Sequence, residues 1–186
     1  QLGEIPSNVF NVGGLGIDNI KKLKLFPKKE LENEIDFKFS KKKNLLVTFH
    51  PLTLEKMTSG QQLDQLLLAL EKQEDTSIIF TMPNADTESR ILFEKINQYC
   101  SLNFNAKCFT SLGQKKYLSC LQFVNGVVGN SSSGLLEVPS FQIGTINIGD
   151  RQKGRICADS VINCDAEENS IVNAINILYT ENFKKK

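Results

Sequence analysis

Residues 126–149 read GVVGNSSSGLLEVPSFQIGTINIG: a short apolar run, a glycine-flanked polar loop, a segment of helical composition and a second apolar run. Both runs are apolar and β-branched at consecutive rather than alternate positions, the pattern of strands buried on both faces. A buried strand, a crossover and another buried strand make one parallel unit. Working outward, the unit repeats. Runs of like character stand at VFNVGG (9–14), NLLVTFH (44–50), SIIFTM (77–82), AKCFTSL (106–112), GVVGN (126–130), GTINIG (144–149) and SVINC (160–164). Between most of them the spacing turns helical. Leu63, Leu66, Leu67 and Leu70 recur at i, i+3, i+4, i+7, and Ile91, Leu92, Lys95, Ile96 and Tyr99 do much the same. This alternation predicts an α/β fold, a doubly wound, Rossmann-like parallel sheet.

A chain of 186 residues is long enough for one domain with a real core, and 40% hydrophobic with 23% charged residues is a globular composition. A formal net charge of +1 gives no bulk field for nucleic acid or an anionic membrane. The lysine runs (Lys21–Lys22, Lys28–Lys29, Lys41–Lys43, Lys184–Lys186) are scattered and lack clustered aromatics. They read as solvated faces and argue against a nucleic-acid partner. No apolar stretch approaches the roughly 20 residues of a membrane span, and QLGEIPSNVF lacks the charged-then-apolar design of a signal peptide. The five cysteines, Cys100, Cys108, Cys120, Cys157 and Cys164, form no CxxC pair, and several fall inside apolar runs. That usage predicts free thiols in a reduced, cytoplasmic protein. One histidine and no DxD-like carboxylate pair leave no metal-ligating cluster, so neither a metal nor another cofactor is expected.

In an open parallel sheet, ligands sit at the carboxyl ends of the strands, in the loops that lead into helices. Gly13-Gly14-Leu15-Gly16, His50-Pro51, Pro83-Asn84 and Asn130-Ser131-Ser132-Ser133-Gly134 all fall there. The first lacks the G-x-G-x-x-G spacing of a dinucleotide loop and reads foremost as a tight turn. His50 is either a packed residue or a catalyst at a strand end. The serine loop presents backbone N–H groups and hydroxyls where a helix opens, an arrangement suited to an anion. A helix cap would need one serine, not three between glycines. Glu137, a helical turn further on, could accept from two ribose hydroxyls. Arg151 and Arg155, four apart in GDRQKGR, could reach phosphate with bidentate geometry or be held by structural partners instead. Together these residues point to a nucleotide diphosphate.

GNSSSGLLEVPSF (129–141), followed by TINIGDRQKGR (145–155) and ADSVINC (158–164), resembles the hydrolysing UDP-N-acetylglucosamine 2-epimerases of sialic and nonulosonic acid synthesis. The resemblance extends to LGEIPSNVFNVGGLGIDNI (2–20), VTFHPLTLE (47–55) and MPNADTES (82–89), so it covers nearly the whole chain in consistent order. It implies a GT-B architecture, in which two Rossmann-like domains hold a UDP-sugar between them. Residues 1–186 would be a single UDP-binding domain, the C-terminal half, with the N-terminal catalytic half absent. The chain would begin where the interdomain connection ends and stop after INILYTENF, before the closing helical segment of the family.

Carried over position by position, the resemblance makes His50 in FHP the catalytic histidine beside the diphosphate and Arg155 a catalytic arginine near it. UDP-binding positions are Asn84 in PNAD, Ser131 and Ser132 at the diphosphate, Glu137 at the ribose, and Arg151 as a weaker match. Uracil is expected near the backbone of Thr110–Leu112, with Tyr117 or its neighbours packing nearby. The implied reaction eliminates UDP across C1–C2 of the sugar and adds water, releasing N-acetylmannosamine or a related free sugar. Charge growing on the departing diphosphate suits N–H, hydroxyl, arginine and histidine donors, each worth ~3 kcal/mol. The alternative readings are the nucleotide-binding half of a GT-B glycosyltransferase or of a non-hydrolysing 2-epimerase. The latter usually carries a GHRREN-like segment where this chain has FHPLTLE, a difference that favours hydrolysis, and GDRQKGR after TINI favours the epimerase over a transferase. The expected partners are UDP or a UDP-N-acetylhexosamine, the N-terminal domain and a second copy of the intact chain, with neither nucleic acid nor membrane.

Overall fold

Six of the seven apolar runs become strands of one parallel sheet, ordered β3-β2-β1-β4-β5-β6. The computed structural model describes every residue except 1, 2, 4, 11, 12, 14, 52–56, 84–88 and 184–186, and of 15 and 19 the backbone alone. Gly14, Asn84 and Lys184–Lys186, singled out above, therefore lie outside the described residues. In chain order the elements are α1 (Leu15–Lys22), α2 (Lys28–Glu34), β1 (Lys43–Thr48), α3 (Ser59–Glu71), β2 (Thr76–Thr81), α4 (Ser89–Leu102) and β3 (Ala106–Phe109). Then follow α5 (Gly113–Leu121), β4 (Gly126–Gly129), α6 (Ser133–Leu136), a 3₁₀ turn over Val138–Phe141, β5 (Gly144–Ile148), β6 (Val161–Cys164) and α7 (Glu168–Leu178).

Period two divides the strand side chains between two cores. Leu45, Val47, Phe80, Val128 and Ile146 pack under α3, α4 and α7, whereas Leu46, Ile79 and Val127 pack with α2 and α5. Because helices cover both faces, the central strand β1 has Leu45, Leu46 and Val47 fully buried, as its unbroken apolar run requires. The helical spacing read in the sequence marks the inward stripes. Leu63, Leu66 and Leu70 of α3 and Leu92, Ile96 and Tyr99 of α4 are buried, while Ile91 is exposed and Lys95 pairs with Asp64 at 2.7 Å. A reciprocal capping box opens α3, with Gln61 N–H donating to Thr58 Oγ1 and Thr58 N–H to Gln61 Oε1. All five cysteines are free, and burial pushes the Cys100, Cys120 and Cys164 thiols up to about 12. Among the described residues no helix is long and apolar enough to cross a membrane.

The first apolar run departs from the expectation. Val9 and Phe10 belong to no strand and are 42% and 76% exposed. The composition of VFNV resembles that of the other runs, but both sides of β1, β2, β4 and β5 are already paired, and Val9 and Phe10 join neither of the outer strands β3 and β6.

The order of the sheet fixes where the site lies. β1 is followed through α3 by β2 on one side, and the chain returns through α5 to β4 on its other side. The gap between the carboxyl ends of β1 and β4 is thus the topological switch point, where open sheets bind ligands. Gly129, the last residue of β4, takes φ +143, and a Cβ there would stand 1.9 Å from the Thr48 carbonyl oxygen at the end of β1. Gly129→Ala is expected to cost about 3 kcal/mol or more, from backbone strain and a clash with immovable backbone. Denaturant unfolding of the variant measures this; a loss below about 1 kcal/mol would contradict the close approach.

Candidate functional site

One side chain ties the switch point together. Asn130, directly after Gly129, is fully buried. Its Oδ1 accepts the His50 N–H at 2.8 Å, and its Nδ2 donates to the His50 carbonyl at 2.9 Å. Its own N–H donates to the Thr48 carbonyl at 3.2 Å, continuing the β1–β4 ladder by one step. Its carbonyl receives Gln152 Nε2 at 2.8 Å and Arg151 Nη1 at 3.2 Å from the loop after β5. The buried side-chain amide, with donor and acceptor both matched, ties the ends of β1 and β4, and the main-chain carbonyl of the same residue adds the loop after β5.

That bracket brings most of the expected site residues to one edge. His50, half-buried, leaves the end of β1. Ser131 and Ser132, also half-buried, start the loop after β4, and Arg151 comes over from the end of β5. Ser132 makes no hydrogen bond through its hydroxyl among the described residues, whereas Ser131 Oγ only receives a long contact from the Ser133 N–H at 3.4 Å. Arg155 sits further along the same turn with its side chain in solvent; its N–H donates to the Gln152 carbonyl at 3.2 Å. Of the two arginines the structure brings Arg151, the weaker sequence match, to the serine loop. Asn84 lies outside the described residues, so its expected place at the pocket wall is left as read from the sequence.

The helix after the serine loop is short. α6 spans four residues and gives way at Val138 to the 3₁₀ turn. Pro139 explains the stop, because its ring would clash with the Leu135 carbonyl and it has no N–H to donate. So short a helix adds no sizeable macrodipole, and an anion there would be held by individual N–H and hydroxyl groups. Ser132 stands at the N-cap position without a side-chain cap bond, so the bland reading of these serines as capping residues finds no support in Ser132.

Glu137 ends α6, half-buried, and Ser133 Oγ donates to its Oε2. The Tyr117 hydroxyl from α5 lies 2.7 Å from Ser133 Oγ. Burial, ahead of the opposing Ser133 hydrogen bond, pushes the Tyr117 phenol up to about 12, so it stays protonated at neutral pH. On the other side of the carboxylate, a Cβ on Gly16 of α1 would lie 4.0 Å from Glu137 Oε1. The glycine-rich segment therefore contributes a wall beside Glu137; Gly13 takes φ +78 just before α1, as a tight turn needs. Thr110 and Ser111, at the end of β3, are exposed, while Leu112 is buried.

Sequence reasoning placed Asn130 and Ser133 in the candidate loop without giving either a role of its own, and it missed Gln152. An asparagine directly after a buried apolar strand is a usable signal, since a buried amide demands partners. Gln152 lies in a polar turn between charged residues and carries no such signal.

The sequence matches the UDP-N-acetylglucosamine 2-epimerase family over residues 1–186. It is 43% identical over 184 residues to the polysialic acid biosynthesis protein P7 of Escherichia coli, covering 98% of this chain and 46% of that protein. It is 40% identical over 186 residues to the GDP/UDP-N,N′-diacetylbacillosamine 2-epimerase (hydrolyzing) of Campylobacter jejuni, covering all of this chain and 48% of that one. The chain spans about half the length of these relatives. Its fold is shared with S. aureus MnaA solved with UDP, at a TM-score of 0.72 and 14% identity, over 98% of this chain and 48% of that one.

The bracket makes a specific demand on residue 130. Asn130→Ala should cost about 1–3 kcal/mol for each His50 backbone group it leaves unpaired. Asn130→Asp keeps the acceptor but turns an oxygen toward the His50 carbonyl, so it should also destabilise at pH 7. Protonating that carboxyl restores a donor, which raises its folded pKa above the ordinary value near ~4. Its stability deficit relative to the natural chain should therefore shrink as pH falls toward that value. Denaturant midpoints across pH check this, and a deficit independent of pH would contradict the bracket.

Proposed function

The chain belongs to the UDP-N-acetylglucosamine 2-epimerase family, and from that premise we propose that it is the UDP-binding, C-terminal half of a cytoplasmic, hydrolysing 2-epimerase. The single observation that carries the reading is the gathering of His50, Ser131, Ser132 and Arg151 around the Asn130 bracket, with Glu137 one turn further on. The substrate class is a UDP-linked 2-acetamido sugar, and the product is a free sugar epimeric at C2, such as N-acetylmannosamine. Two relatives support that class. One is named for polysialic acid biosynthesis, and the other is a hydrolyzing 2-epimerase of N,N′-diacetylbacillosamine nucleotides.

In the proposed reaction a base removes the proton at C2, the C1–O bond breaks with its electron pair going to the diphosphate, and a C1–C2 double bond forms. Water then adds across that bond, giving the free sugar with C2 inverted. The residues of this chain serve the leaving group. Ser131 and Ser132 would donate to diphosphate oxygens, and Arg151, with Arg155 further along the turn, would supply positive charge. His50 would donate to the diphosphate as its charge builds. Asn84 would line the nucleotide pocket, and Glu137 would accept from the ribose. The base at C2 would come from the N-terminal half, and the intact protein would pair as a homo-oligomer. Of the two arginines Arg151 takes precedence, because its guanidinium already touches the backbone of the serine loop.

Two measurements test this reading. Calorimetry with UDP titrated to about 1 mM would reveal binding worth as little as ~4 kcal/mol. Heat is expected equally with and without a chelator; a strict requirement for divalent metal would overturn the protein-only diphosphate site. In the full-length protein, His50→Ala should lower kcat about a hundredfold or more while changing UDP affinity only a few-fold, since its donation strengthens as charge develops. Equal losses of affinity and turnover, or a loss of stability with unchanged turnover per folded molecule, would remove His50 from the chemistry.

A further inference from the structure

The three serines do not share one task. Ser131 and Ser132 stand at the end of β4 with no side-chain hydroxyl donated to a described residue, whereas Ser133 turns its hydroxyl to Glu137 Oε2. A hydroxyl has one proton to give, and Ser133 gives it to the carboxylate. The contact of 2.7 Å between Tyr117 and Ser133 must then run the other way, with the Tyr117 O–H donating to Ser133 Oγ. The chain Tyr117→Ser133→Glu137 thus has a single direction and ends on one carboxylate oxygen. The other, Oε1, accepts no hydrogen bond from any described residue and lies beside Gly16, where the absence of a side chain leaves its approach open.

We propose that Tyr117 and Ser133 are positioning residues that hold Glu137 by Oε2 and leave Oε1 as the acceptor for ribose hydroxyls, so that they set the preference of the site for a ribonucleotide. The inference rests on the ribose role of Glu137 in the proposed function. An ionised side chain at the end of a one-turn helix has several rotamers, and in most of them the acceptor is misplaced. Two donors in series select one rotamer and place their dipoles toward the carboxylate, strengthening one another in a poorly solvated setting. Tyr117 reaches the loop from α5, an element buried along Leu118–Leu121, so the anchor is itself rigid. The three-serine run is then explained: two hydroxyls for the diphosphate, one for the carboxylate.

The test compares UDP with 2′,3′-dideoxyuridine 5′-diphosphate, which lacks both ribose hydroxyls, by calorimetry on the full-length protein. The readout is the ratio of the two dissociation constants, which a general loss of folding or of phosphate binding leaves unchanged. The natural protein is expected to favour UDP by tenfold or more, and Glu137→Ala to abolish that preference. Ser133→Ala and Tyr117→Phe should each lower the ratio about threefold to tenfold, with affinity for the dideoxy compound nearly unchanged. Tyr117→Phe keeps the ring and its packing, so it stands if Ser133→Ala disturbs the loop. If Glu137→Ala abolishes the preference while both other variants keep it, the positioning role is overturned and the ribose role stands. If the natural protein shows no preference, or Glu137→Ala leaves it intact, both fall.

Discussion

The contact between the ends of β1 and β4 is the constraint on which the site depends. These neighbours are joined by α3, β2, α4, β3 and α5, so their meeting is a long-range contact that closes that whole excursion. Where they meet, the glycine at 129 lets backbone touch backbone, and the next side chain takes up the groups the ladder can no longer pair. Strand ends are where backbone donors and acceptors run out of partners. Asn130 supplies both kinds at once, which hydroxyl or carboxylate side chains cannot do in one planar group. The His50 main chain is held from both sides, and the direction in which its ring leaves β1 is set with it. The main-chain carbonyl of Asn130 also draws in the loop after β5, so three strand ends are fixed by one residue.

Much of this was legible in the sequence. Runs apolar at consecutive positions imply burial on both faces, and burial on both faces implies helices above and below a parallel sheet. The inward stripes of α3 and α4 followed from spacing alone. What composition cannot reveal is competition for partners. The run that begins at Val9 and Phe10 has the local composition of a strand, yet whether a run joins a sheet depends on what the rest of the chain brings beside it, which is a property of the whole fold. The stop of α6 is legible too, because Pro139 forbids continuation of a helix.

Candidate site residues separate along the same line. His50, Ser131, Ser132, Glu137 and Arg151 could be singled out because strand-end loops of a parallel sheet are few and their polar residues stand out. Asn130, Gln152 and Ser133 act by completing hydrogen bonds between segments distant in sequence, and such pairing is invisible until the fold brings them together. Arg155 shows the converse. It stands four positions after Arg151 in a turn with Gly154 at φ +80, and Arg151 reaches the Asn130 carbonyl while Arg155 is exposed. Outside a helix or strand, equal spacing gives two side chains no common direction.

The order of residues around the α6 turn has an electrostatic logic in the proposed reading. A loop that is to hold a diphosphate also carries a carboxylate, and like charges resist sharing a site. Five residues separate Ser132 from Glu137, a rise of roughly 7 Å along a helical path. At an effective dielectric near 20 a unit charge there repels another by about 2 kcal/mol. Two features of the structure act against that repulsion. Arg151 stands on the serine side, where it would meet the phosphates. Tyr117 and Ser133 turn their hydroxyl dipoles toward the carboxylate, drawing one of its oxygens to the α5 side of the turn. A carboxylate left unheld would swing and vary this distance. Anchored by one oxygen, it keeps the other available to hydroxyls while the anion site stays a helical turn away.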